Sequence, residues 1–223
     1  MALRTVLLYC CAVAVIVPGI QILAAVTSAS TGTDGPPTPR RIWHRPVPPA
    51  AVLLVAVMVA LAVVQSVVPS LVDHLERVPG GPWWRAVTAL LVQSSGWFQV
   101  VFNLAALAVV APIAERAFGA VRMLGVYVVS GVAAQVVSMA GWSPRGAGDS
   151  VAVCGLVGAL ATAYALRGPL HTVRRLALLV PVSGIVLCLI DNNHGVGVVV
   201  GCALGAVFTV SGDVALADPS AGS

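Results

Sequence analysis

Long apolar runs separated by short polar connections dominate this chain, at about residues 5–26, 48–71, 98–114, 120–141, 150–166, 173–190 and 194–212. Each approaches the roughly 20 residues that a helix needs to cross a bilayer. None has the alternating polar and apolar positions of an outer-membrane barrel strand. The pattern predicts an all-α, polytopic membrane protein. Between the first two runs lies TGTDGPPTPRRIWHRPVPP, rich in proline and arginine, which reads as a linker without regular structure. The expected division is an N-terminal transmembrane helix or signal-like segment over 1–27, a cytoplasmic linker over 28–47, a six-helix membrane domain over 48–212 and a disordered tail over 213–223.

Composition narrows the class. Of 223 residues, 59% are hydrophobic and only 9% charged. The mean hydropathy is +0.99. A soluble domain so poor in charge would have too little to offer water. The formal charge of +4 comes from arginines scattered between the apolar runs, so it makes no nucleic-acid-binding face. Cys10, Cys11, Cys154, Cys188 and Cys202 all sit inside apolar runs, where cysteine behaves as a small hydrophobe. No His/Cys spacing reads as a metal site, and no cofactor is expected.

The arginines set the expected orientation. Arg40, Arg41 and Arg45 precede the second run, Arg116 and Arg122 follow the third, and Arg167, Arg174 and Arg175 follow the fifth. The alternate loops hold only Arg77, Arg85 and Arg145, beside Asp73, Glu76, Asp149 and Asp191. This asymmetry places the 28–47 linker in the cytoplasm and residue 150 at the outer face, for a protein of the bacterial plasma membrane. The first run, with Arg4 ahead of it and AAVTSAS behind, has the features of a signal peptide. Cleavage would deliver the arginine-rich linker outside, which favours a retained helix with its N-terminus out.

Polar side chains inside membrane helices are costly and point to function. Gln99, Asn103, Ser150 and His194 fall at a similar depth near the outer face, while Glu115 lies near an inner helix end. His194 is followed by Gly197, Gly201 and Gly205, a stripe that lets two membrane helices approach backbone to backbone. Ser150 begins a small-residue stripe of its own, with Cys154, Val157, Gly158 and Ala161 on its side. Packing the stripes together would bring Ser150 within reach of His194, a serine nucleophile beside its base. Gln99 and Asn103, four residues apart, would share a face and could donate to an oxyanion with the Ser150 N–H. The plainer readings are a capping serine, an interfacial histidine and glycines used only for packing.

On these residues the stretch 48–212 resembles the rhomboid intramembrane serine proteases. Trp84-Arg85 matches a pair in that family's long first loop. Gln99 and Asn103, then Glu115-Arg116 and Gly119, match its second core helix. GDSV and CGLVGA match its fourth, and His194, Gly197 and Gly201 its sixth. The resemblance implies a Ser150–His194 dyad that cuts transmembrane protein substrates within the lipid bilayer, with no acid relay. It also implies a six-helix core preceded by one extra helix. Three positions depart from the pattern: Val151 for a glycine, Gln99 for a histidine and Cys154 for an aromatic residue. These favour the alternative, a rhomboid-fold pseudoprotease that binds transmembrane clients without cutting them. A transporter is the third reading, and it lacks the intramembrane charges an ion path would use.

Overall fold

The computed structural model describes residues 2–32, 36–212 and 214. Apart from Val214, the expected tail at 213–223 lies outside the described residues. In chain order the helices are α1 (Ala2–Thr31), α2 (Pro39–Ile42), α3 (Pro49–Val67), α4 (Ser70–Leu75), α5 (Arg85–Thr88), α6 (Trp97–Phe118), α7 (Ala120–Val137), α8 (Ser150–Arg167), α9 (His171–Ala177), α10 (Leu179–Leu189) and α11 (Asn193–Val210). A π turn, Ser138–Trp142, ends α7. Among the described residues there are seven helical spans long and apolar enough to cross a membrane: α1, α3, α6, α7 with its π turn, α8, α9 with α10, and α11.

The sixth span is broken where the apolar pattern is continuous. Pro181 has no N–H to give the carbonyl one turn back, and α9 ends at Ala177. Between α6 and α7 the break is Gly119, whose φ of +80° suits a residue without Cβ. Lipid-facing side chains such as Leu53 and Val63 of α3, Val101 of α6 and Ile185 of α10 remain exposed.

α8 is the axis of the bundle, packed by α11, α7, α6, α9 and α1. Its closest partner is α11, and the reason is glycine. A Cβ on Gly197 would lie 2.2 Å from the Val151 carbonyl oxygen, and one on Gly201 would lie 2.0 Å from that of Gly155. One on Gly205 would lie 2.5 Å from the Ala159 oxygen. The glycine stripe of α11 therefore meets α8 along Val151, Gly155, Gly158 and Ala159. Of the expected α8 stripe only Gly158 is at these closest approaches, because backbone contact selects the face without side chains, while Cys154 turns towards a cavity.

Residues 36–47 of the linker are more ordered than their proline content suggests. Arg116 donates to the carbonyls of Ile42 and His44, and Ile42 is buried. Glu115 accepts the N–H groups of Ala50 (3.2 Å) and Ala51 (2.6 Å), capping α3, where the first N–H groups of a helix have no partner within it. Glu115-Arg116 thus fastens one end of the bundle. At the opposite end Arg85 reaches the carbonyls of Glu76 (2.7 Å) and Asp73 (3.2 Å). Ala89, Val92 and Ala147 form a small core there with Leu71, Val72 and Leu75. This folded loop sits against residues 143–149 and covers the start of α8, with Arg77 and Gly146 exchanging backbone hydrogen bonds.

Candidate functional site

Ser150 is the first residue of α8 and His194 the second of α11. The seam between these helices brings the Ser150 Oγ to 3.0 Å from the His194 Nε2. His194 is in turn held by Asn192, the N-cap of α11. The Asn192 Oδ1 accepts the backbone N–H of His194 at 3.0 Å, and the His194 Nδ1 lies 3.0 Å from the same oxygen. An atom that accepts a backbone N–H must be the amide oxygen, so Nδ1 carries a proton and donates it. Nε2 is then left with a lone pair facing the serine hydroxyl. A serine, a correctly oriented imidazole and an orienting group form one line. Such a set can deprotonate a hydroxyl as it attacks a carbonyl.

Around the serine the backbone also offers donors. Ser150 and Val151 open α8, and the first N–H groups of a helix have no partner within it. Gln99 and Asn103 stand on the neighbouring helix with part of their hydrogen-bonding capacity already in use. Gln99 accepts from Ser95 N–H (2.7 Å) and donates from Nε2 to the Ala147 carbonyl (3.0 Å). Asn103 donates from Nδ2 to the Gln93 Oε1 at 2.7 Å. Each amide nitrogen carries a second N–H. Gly148 makes room for Gln99: its φ is +150°, and a Cβ there would lie 2.4 Å from the Gln99 Nε2.

Beneath the loop lies a polar network that sequence reasoning did not single out. Asp149 is fully buried and accepts from Gln93 Nε2 (2.7 Å) and the Tyr127 hydroxyl (3.1 Å). Burial pushes its carboxyl above the usual carboxylate range, against these hydrogen bonds, which favour the ionised form. Arg77 is also buried, donating to Gln135 Oε1, the Ser143 carbonyl (2.7 Å) and the Ser143 hydroxyl (3.3 Å). Burial lowers its pKa, against the nearby Glu76. Gln135 passes the connection on by donating to the Gly148 carbonyl at 3.0 Å. Asn192, Arg77 and Gln93 are the site residues that the sequence reading missed. The one available signal was Asn192 in the N-cap position just ahead of His194.

Two cavities meet at Ser150 and His194. One, of about 240 Å³, is polar and lined by Arg77, Ser94, Gln99, Gln135 and Ser143 among others. The second, of about 280 Å³, is almost wholly apolar and lined by Asn103, Cys154 and Val198 on the core side and by Leu8, Cys11, Ala12 and Val15 of α1 opposite. Among the described residues no group of three or more His, Cys, Asp or Glu side chains could hold a metal ion.

The Val151 side chain, where the family pattern has glycine, is 2% exposed and belongs to the main hydrophobic core. Comparison with known proteins fits this architecture. The rhomboid domain model matches residues 80–211, more than half of the chain. Over 58 residues the chain is 36% identical to the rhomboid protease AarA of Providencia stuartii, a stretch covering 26% of this chain and 20% of that protein. A match over much of the folded loop, both site helices and the glycine seam, in an all-helical multi-pass membrane protein, places this chain in the rhomboid family.

Proposed function

We propose that this protein is an intramembrane serine protease that cleaves transmembrane protein substrates with a Ser150–His194 dyad. The observation that carries the reading is the 3.0 Å approach of Ser150 Oγ to an imidazole whose other nitrogen is fixed by Asn192. Ser150 Oγ attacks the scissile carbonyl carbon while His194 Nε2 takes its proton. The imidazolium then gives that proton to the leaving amine, and a water activated by the same nitrogen hydrolyses the acyl-enzyme. The oxyanion is held by the Ser150 and Val151 N–H groups and by the second N–H of Gln99 and of Asn103. Water enters by the polar cavity, since polar groups at this depth are tolerated where they line one.

In this reading residues 48–212 form the catalytic domain, α1 is an appended helix and the site opens to the outer face of a bacterial plasma membrane. The arginine asymmetry supports that orientation. Arg4 also binds the Ile190 carbonyl (2.9 Å), putting the α1 N-terminus at the dyad end.

One observation favours the second reading, a client-binding pseudoprotease: Gln99 and Asn103 each already spend a donor on the loop beside the site. Reconstitution with a transmembrane substrate in proteoliposomes separates the two. Cleavage by the wild type and none by Ser150→Ala is expected. Equal inertness of both, with a substrate retained by both, refutes the protease.

A further inference from the structure

The apolar cavity beside the dyad has one wall that the rhomboid core does not supply. α1 packs along α10, α8, α9 and α6, and its inward stripe runs Leu8, Cys11, Ala12, Val15, Gly19, Ile22 and Val26. The lower part of this stripe is anchored: Ile22 is 1% exposed and Gly19 meets Val157 of α8. The upper part faces the cavity that holds Ser150 and His194. Beside this stripe Tyr9, Val13 and Ile20 are exposed.

A transmembrane substrate helix coming to Ser150 from this side meets α1 first, because Leu8, Cys11, Ala12, Val15 and Ile16 wall the cavity that Ser150 and His194 line. α1 is itself a helix of transmembrane length, already lying along the dyad cavity with its N-terminus at the dyad end.

We infer that α1 is the resting occupant of the seat for a transmembrane substrate, and that an incoming helix reaches Ser150 only by taking α1's place. The inference rests on the proposed action on transmembrane proteins, whether they are cut or only held. The α1 span is 33% buried, as is the span of α9 with α10, against 61% for α8. At the outer end α1 is held by the hydrogen bond from Arg4 to the Ile190 carbonyl. Small solutes have a separate way to the serine, through the polar cavity.

These two routes make the test. In the full chain with its five cysteines replaced by alanine, Arg4→Cys and Ile190→Cys are joined by a short bifunctional methanethiosulfonate, which reductant releases. The probe is a fluorescent synthetic peptide of residues 2–31, whose association is followed by energy transfer. Cleavage of a transmembrane substrate and labelling of Ser150 by a small fluorophosphonate are measured alongside. The tether should lower peptide association and cleavage about tenfold or more, because the seat-open fraction falls and apparent affinity falls with it. Reductant should restore both, while fluorophosphonate labelling changes by less than about twofold, its route being independent of the seat-open fraction. Arg4→Ala without a tether should raise association. Peptide association and cleavage that ignore the tether, or no association with either form, would overturn the inference. Tether-sensitive association without any cleavage sustains it and removes the protease reading instead.

Discussion

The α8–α11 seam and the α1 seat are both contacts between apolar membrane helices, yet they are built in opposite ways. At the seam, glycines bring backbone against backbone, so that added Cβ atoms at Gly197 and Gly201 would lie 2.2 and 2.0 Å from α8 carbonyl oxygens. The α1 seat is made of side chains: a Cβ on Gly19 would lie at an ordinary 3.6 Å from Val157, and a cavity is left beside Cys11 and Ala12. Lipid is as apolar as the helices, so close packing rather than hydrophobicity decides which contact is permanent. The seam fixes the distance between Ser150 and His194 on which the proposed chemistry depends, and added bulk there would meet backbone. The seat fixes no such distance, and the proposed mechanism has it open.

The largest effect expected is at the chemistry the seam serves. Ser150→Ala should lower cleavage to background, a loss on the order of 10⁴-fold or more, and adding His194→Ala should cost little further because nucleophile and base act as a unit. The contrast itself is tested by placing a valine at each contact. Gly201→Val should abolish activity and lower stability by about 3 kcal/mol or more, since overpacking a seam with no slack displaces backbone. Ala12→Val, into the cavity, should change the unfolding midpoint in detergent little. If both variants lose stability equally, the two contacts are alike and the comparison fails.

Smaller losses should follow from the groups around the dyad. Gln99→Ala should lower kcat on the order of 10²-fold if its second N–H reaches the oxyanion. Gln99→His, which restores the family residue, should keep or raise activity. Asn192→Ala should lower kcat about tenfold with KM nearly unchanged, because it frees the imidazole without touching substrate. Asn192→Asp keeps the acceptor for Nδ1–H and should recover most of the loss. A KM effect without a kcat effect would assign Asn192 to substrate binding instead.

Much of this architecture was legible in the sequence because membrane helices announce themselves by length and apolarity. The glycines at Gly197, Gly201 and Gly205 pointed to a close helix contact, and together with Ser150 and His194 they indicated which two helices should meet. Other features were hidden for physical reasons. The break before α10 depends on Pro181 standing in the first turn of a new helix rather than inside a continuous one, and the apolar pattern does not distinguish these. The linker's order comes from Arg116 reaching the carbonyls of Ile42 and His44, a contact some seventy residues distant in sequence. The Asp149, Gln93 and Tyr127 network joins three separate elements, and no local spacing encodes it. Asn192 was the nearest miss: its side chain caps the very helix on which His194 sits. The position of α1 along the dyad cavity could not be read at all, since an apolar stripe does not name its partner.

The most direct test of the central claim is labelling of the purified full-length protein with a small fluorophosphonate, with the modified residue located by mass spectrometry. The account predicts modification at Ser150 in the wild type, none in Ser150→Ala, and labelling slowed on the order of 10²-fold or more in His194→Ala, because the hydroxyl is a weak nucleophile without its base. Labelling as fast in His194→Ala as in the wild type, or a wild type that never labels at Ser150, would contradict it.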